Sequence, residues 1–412
     1  MELISDDHPL LIFVGSGGVG KTTLAAATGV LSARSGRDTL VMTFDPSLRL
    51  KQALGVGEEA REHEVPVDLG PLENAGIGES AAPDRQDRAA GGAQTRPPGK
   101  LRPPGSDSCA PSSPDPADPD RRPLGKLDAS LLDAQRTFDR LIERYAPDPE
   151  SRQRILANRF YQHLSGTLGG ILEYMAVERL FEVSAGGRYA QIVLDTPPTR
   201  QALDFLEAPA RIVGFLDSGA LKMGVKTWFD EAGRLKAAKG WWGGLGRRAE
   251  RFLDEVVGLD LLRDMSEFFQ AFAPLYAGFH ERAEAVEALL RSARTRFVLV
   301  SGPGEERIPD TLFFARRLQA AGYHLGPIVV NRVHPHFATA AFDPAPSLAP
   351  VPVDGRRLLG WLGERDRRGL AQLSGLLSEQ RLVSLPLLPE EPTDLPALAA
   401  LGEDLERRMA AL

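Results

Sequence analysis

A chain of 412 residues with 42% hydrophobic and 25% charged side chains has the composition of a soluble globular protein, long enough for one large α/β domain or two ordinary ones. Its net charge of −7 argues against sequence-independent binding to nucleic acid or an anionic membrane surface, and its single cysteine excludes an internal disulfide framework or a cysteine-rich zinc site within one chain. The amino terminus is acidic (Glu2, Asp6, Asp7) and its apolar run covers only Leu10 to Val14, too short for a signal peptide or a membrane span, so a cytoplasmic protein is expected.

The first predicted element is a buried strand, Leu11 to Val14. It runs directly into Gly15, Ser16, Gly17, Gly18, Val19, Gly20, Lys21, Thr22 and Thr23, which fit G-x-x-x-x-G-K-[ST]. The chemistry demands this pattern. Glycines let the backbone wrap a phosphate, and the helix that follows offers free N–H groups and its positive dipole end to the same anion. Lys21 is placed to neutralise phosphate oxygens and Thr22 to ligate Mg²⁺. Helix Leu24 to Arg34 and strand Thr39 to Phe44 complete a βαβ unit.

Asp45 ends that second strand, where a carboxylate faces the ligand crevice of a parallel sheet and could orient an attacking water. Asp followed by Pro46 is equally an N-cap with proline at the first helical position, so spacing alone leaves both roles open. Residues 57–126 hold twelve prolines, no aromatic residue and the only cysteine, Cys109. Such a segment cannot bury enough apolar surface to offset chain entropy, and a disordered insertion is expected there.

Folded periodicity resumes at Leu127. Leu131, Phe138, Leu141 and Tyr145, at spacings of seven, three and four, read as one helix face. Tyr189 to Leu194 is a buried strand ending at Asp195, followed by Thr196, Pro197, Pro198 and Thr199. A strand-end acid of this kind suits a magnesium carboxylate acting through water, with a switch loop behind it; the alternative is a cap after a strand. Residues 202–290 read as a helical subdomain, in which Phe268, Phe269, Phe272 and Tyr276 have core spacing. Phe215, Trp228, Trp241 and Trp242, among lysines and arginines, suit ordinary core, a client surface, or membrane contact through the Trp241-Trp242 loop. Phe297 to Ser301 and Ile328 to Val330 are short strands around helix Asp310 to Ala320, and a partly extended run, Leu382 to Leu388, precedes helix Leu395 to Leu412. His334 and His336 flank Pro335 with no acid or thiol nearby in sequence and read as surface residues. The whole reads as one α/β domain over residues 1–412, a doubly wound, mostly parallel sheet of P-loop NTPase type with a helical subdomain.

Four stretches taken together, GSGGVGKTT at 15–23, FDPSLRL at 44–50, LDTPPTR at 194–200 and IVVNRV at 328–333, resemble the ArsA family of anion-pump ATPases, which also includes eukaryotic ATPases that target tail-anchored membrane proteins. Thr137 to Leu141 and Ala157 to Tyr161 are similar to stretches of its bacterial branch. The resemblance implies an ATP- and Mg²⁺-dependent hydrolase that closes face to face as a homodimer or as a heterodimer with a related ATPase. It implies a client or a membrane subunit as partner, and no nucleic acid. It assigns the phosphate cradle to Gly15 through Thr23, water activation to Asp45, γ-phosphate sensing to Asp195 through Thr199, and adenine recognition to Asn331.

Three departures accompany the resemblance. Ser16 stands where the family carries a lysine that reaches the partner's phosphates, so hydrolysis is expected to be slow unless Arg49, Lys51, Arg200 or a paralogous partner supplies the charge. A nucleotide-dependent scaffold with little hydrolysis is therefore the alternative. The Cys-x-x-Cys pair of the tail-anchor branch is absent, and Pro303-Gly304-Glu305 replaces the usual acid near the adenine site. A small-molecule P-loop kinase, the third reading, is disfavoured by the loop after Asp195.

Overall fold

The computed structural model describes residues 3–43, 48–61, 63–75, 123–159, 161–162, 171–197, 200–217, 264, 267–268, 270–272, 275–337 and 355–411. In chain order the elements are β1 (Leu10–Gly15), α1 (Lys21–Arg34), β2 (Thr39–Thr43), α2 (Leu48–Leu54), β3 (Val65–Pro66), α3 (Gly70–Ala75), β4 (Leu127–Leu131), α4 (Ala134–Tyr145), α5 (Pro149–Ala157), α6 (Ile171–Ala185), β5 (Gln191–Asp195), α7 (Arg200–Asp217), α8 (Tyr276–Arg291), β6 (Thr295–Ser301), α9 (Ile308–Ala320), β7 (Leu325–Val333), α10 (Gly355–Leu376), β8 (Leu382–Pro386) and α11 (Leu395–Ala410). The strands form one sheet in the order β3-β4-β2-β5-β1-β6-β7-β8, parallel throughout except for the short β3 beside β4. None of the described helices is long and apolar enough to cross a membrane.

Alternation along each central strand builds two cores. Leu11 and Phe13 of β1 join Val41, Val193, Val298 and Val300 on the face covered by α1 and α11. Leu10, Ile12 and Val14 join Leu40, Met42, Ile192, Leu194, Phe297 and Leu299 on the face covered by α6 through α9. Period-two side chains buried on both faces are what a covered parallel sheet requires. Each such side chain stabilises the fold by roughly 1.5–3 kcal/mol.

A third, helix-only core lies outside the sheet, where Phe138, Tyr161, Phe268, Phe272 and Phe279 pack together. Ring centroids are 5.0 Å apart for Phe138–Tyr161 and 4.9 Å for Phe272–Phe279. Burial, and then the hydrogen bond it donates to Asp139, holds the Tyr161 phenol well above its usual pKa. Asn158 donates to the Asp264 carbonyl at 2.9 Å and accepts from the Tyr161 amide at 3.1 Å. The stretches 137–141 and 157–161 thus meet in a packing hub. The core reading of Phe268 and Phe272 agrees with their burial; the side chains of Phe269 and Tyr276 lie outside the described residues.

Two expectations change. Leu131 is the last residue of β4, and the helix of its supposed face starts at Ala134. The strand was hidden by its polar residues: Asp128 is buried, and is sustained by Arg188 and the Tyr189 hydroxyl at 2.7 and 2.6 Å. The first part of residues 57–126 is also structured. A 3-10 turn (Glu58–Arg61), β3 and α3 occupy its beginning, with Ala60, Val67 and Leu72 packed into the first core. Residues 76–122, including Cys109, lie outside the described residues, as do most of 218–275 with Trp228, Trp241 and Trp242.

Candidate functional site

β1 is the switch point of the sheet: from it the chain builds β2 and β5 to one side and β6 and β7 to the other, leaving a crevice at the strand carboxyl ends. The loop 15–20 sits there. Gly15 (φ 147°), Gly18 (φ 77°) and Gly20 (φ 90°) all have positive φ. A Cβ on Gly15 would lie 2.0 Å from the Val300 carbonyl oxygen and one on Gly20 2.5 Å from Asn331 Nδ2, so both positions need glycine for space as well as for conformation. Gly20 caps α1, and no acidic residue occupies that helix's first turn, which leaves its positive end available to an anion.

Lys21 is buried and donates to the Ser16 carbonyl at 3.0 Å, folding back along the loop. Thr22 donates its hydroxyl to Asp195 Oδ2 at 2.7 Å. Thr43 donates to the same oxygen at 3.0 Å. Parallel register makes this possible, since Phe13 of β1 and Thr43 of β2 both stand level with Asp195 of β5. Thr196 hydrogen-bonds the Phe13 carbonyl through its hydroxyl at 2.7 Å, and Pro197 is buried beside it. Asp45, Pro198 and Thr199 lie outside the described residues.

On the other side of the loop, Asn331 is the last buried residue of β7. Its Nδ2 donates to the Val19 carbonyl at 2.9 Å and its Oδ1 accepts from the Arg332 amide at 3.0 Å, so it ties the phosphate loop to β7. An amide has two donors and two lone pairs, so these two bonds use one of each. Arg332, which sequence reasoning passed over, has φ 64°, the one positive value outside glycine among the described residues. Such a conformation costs about 1–3 kcal/mol. Its guanidinium donates to the Gly18 carbonyl at 3.1 Å and to Glu391 Oε1 at 2.6 Å. A cavity of about 160 Å³ opens alongside, lined by Thr22, Thr23, Gln52, Glu391, Pro392 and Thr393.

Other expected cations fare differently. Lys51 is buried and paired with Glu58, whose carboxyl that hydrogen bond pulls below its ordinary pKa. Its ammonium is thus engaged by Glu58, and the side chains of Arg49 and Arg200 lie outside the described residues. Glu305 is exposed in a short 3-10 turn. His336 is exposed and His334 half-buried, but each has an acid beside it: His334 Nδ1 lies 2.8 Å from the buried Asp366, and His336 Nε2 lies 3.1 Å from Glu364. Both acids come from α10, whose buried face runs Gly360, Gly363, Asp366, Gly369, Leu373. A Cβ on Gly363 would stand 2.3 Å from the Pro335 carbonyl, so this close approach holds the loop that follows Asn331 and Arg332.

A parallel sheet with a G-x-x-x-x-G-K-T loop at its switch point, a lysine along the loop and a buried aspartate on the helix threonine defines the P-loop NTPase class. Residues 8–79 match the sequence model of the family described as anion-transporting ATPase. The chain is 37% identical over 70 residues to the putative arsenical pump-driving ATPase 1 of Aquifex aeolicus, covering 17% of this chain and 18% of that protein. It is 26% identical over 215 residues to the putative arsenical pump-driving ATPase of Halobacterium salinarum (52% and 26%), and 29% identical over 199 residues to Protein Rv2184c of Mycobacterium tuberculosis (48% and 37%). On these matches the chain is similar to the ArsA ATPase family, most clearly over residues 8–79. The matched segments span well under half the length of each of these relatives.

Proposed function

We propose that the chain is a Mg²⁺-dependent ATPase that closes as a dimer, its ATP-driven cycle acting on a partner or client. The observation that carries this reading is the convergence of Lys21, Thr22, Thr43 and Asp195 on the mouth of one glycine loop. The donor set fits magnesium: Thr22 and Asp195 offer a hydroxyl and a carboxylate, both hard oxygens, and such ions take most of their remaining ligands from phosphate and water. When bound, the ion would neutralise charge developing on the phosphates. Thr22 and Asp195 would hold the ion, the loop amides and Lys21 would position the phosphate chain, Asn331 would meet the base edge, and Asp45 would accept a proton from the attacking water. The switch runs from Asp195 to Thr199, where Thr196 ties it to β1 through the Phe13 carbonyl.

The relatives' names speak of driving arsenical pumps. A single cysteine cannot supply the several thiolates arsenite prefers, so we assign this chain a different client. A second reading, a nucleotide-gated scaffold with little turnover, is favoured by Ser16, a small buried side chain at the position where relatives bring a cation. Phosphate release from purified protein with ATP and Mg²⁺ decides between them. Turnover that Asp45→Asn lowers by about a hundredfold or more supports the ATPase. ATP-dependent dimerisation in sedimentation without phosphate release supports the scaffold.

A further inference from the structure

We propose that Arg332 is an anion-binding arm of the nucleotide site, its guanidinium shared with Glu391 until nucleotide arrives. The inference rests on the reading of the glycine loop as a nucleotide site and adds to it a residue and a control. The arm is aimed by its backbone. Its left-handed φ of 64°, the hydrogen bond from its amide to Asn331 Oδ1, and a register shift of β7 against β8 between Val330 and Val333 turn the side chain toward the loop. The guanidinium reaches the loop apex at the Gly18 carbonyl, and the space over Gly18 is open, with no atom within 4 Å of a Cβ placed there.

Glu391 makes the arm exchangeable. Its pairing with Arg332 is half in solvent, with side chains 36% and 61% exposed, and exposed ion pairs are weak. Glu391 also lines the cavity beside Thr22 and Thr23, so it lies next to the space an entering polyphosphate crosses. Phosphate oxygens repel that carboxylate and attract the guanidinium, which binds phosphate better than it binds a solvated carboxylate because both partners can be bidentate and partly desolvated. The exchange frees Glu391, and with it residues 391–394 leading into the Asp394 cap of α11. The arm also provides positive charge within the chain itself, at a loop where position 16 is serine and Lys51 is committed to Glu58.

The test is a double-mutant cycle on MgADP and MgATP affinity by titration calorimetry, with full-length protein and melting curves recorded for every variant. Arg332→Ala should weaken binding about tenfold, the scale of one charge-assisted hydrogen bond. Glu391→Gln should tighten it by about three- to tenfold, an effect that mere loss of structure cannot produce, and in the Arg332→Ala background the tightening should vanish. The tightening should also shrink as salt rises. Glu391→Gln binding no tighter than wild type, or tightening equally without Arg332, overturns the arm. Should Arg332→Ala lose its fold, Arg332→Gln serves in its place. A wild-type chain that binds neither nucleotide defeats the nucleotide reading itself, an outcome distinct from binding that is indifferent to Glu391.

Discussion

The two flanks of the phosphate loop are built on opposite plans. Toward β5 and β2, one carboxylate oxygen of fully buried Asp195 accepts from Thr22 and Thr43, and flat parallel register sets all three at one level. Toward β7, the strand shifts register, a non-glycine residue turns left-handed, and a partly exposed guanidinium divides itself between the loop and an exposed acidic side chain, Glu391. A group that orients a metal's water shell works best when its position is over-determined, whereas a group that must admit and then grip a ligand needs a partner it can release. In the proposed site the chemistry flank is thus preset and the recognition flank is exchangeable.

The largest expected effect strikes where the flanks join. Lys21→Ala should reduce ATP turnover by about a hundredfold to a thousandfold, as removal of one preorganised charge donor does elsewhere. Circular dichroism should be unchanged, and residual turnover within tenfold of wild type would remove Lys21 from the site. Asp195→Asn separates the flanks. It should raise the Mg²⁺ concentration for half-maximal turnover by about 10- to 100-fold, the usual cost of losing an outer-shell carboxylate, while leaving Mg²⁺-free ADP binding near wild type. Equal losses with and without Mg²⁺ would mean that Asp195 holds the loop and not the ion.

Strands whose signal is local were legible in the sequence. β1, β2, β5 and β6 are short β-branched runs, and the loop after β1 declares itself because its glycines, lysine and threonine are contiguous. Elements whose stability comes from distant partners were not. β4 carries a buried Asp128 that reads as polar until Arg188 and Tyr189 arrive from beyond α6. The helix α10 turns mostly glycines and an aspartate to the interior, so its packed face does not read as core, although Gly363 sits tightly on the 335 carbonyl. The same division runs through the site. Lys21, Thr22 and Asp195 were readable from motif and strand end, but Arg332 meets Glu391 across 59 residues, and only the adjacency of β7 and β8 brings the two together.

The smallest expected effect is the mirror of Asp195→Asn on the other flank. Asn331→Asp keeps the shape of the side chain and the oxygen that accepts from the Arg332 amide at 3.0 Å. It removes the donor facing the Val19 carbonyl at 2.9 Å and sets a carboxylate oxygen against that carbonyl. The loop end should loosen, lowering stability by about 1–2 kcal/mol, and nucleotide affinity should fall about tenfold, with or without Mg²⁺. Asn331→Ala loses both hydrogen bonds but brings no repulsion, so it should bind nucleotide at least as well as the aspartate variant. Calorimetry on the pair checks the order: an aspartate variant that binds like wild type would mean that the amide neither anchors the loop nor meets the ligand, and that the exchangeable flank depends on Arg332 and Glu391 alone.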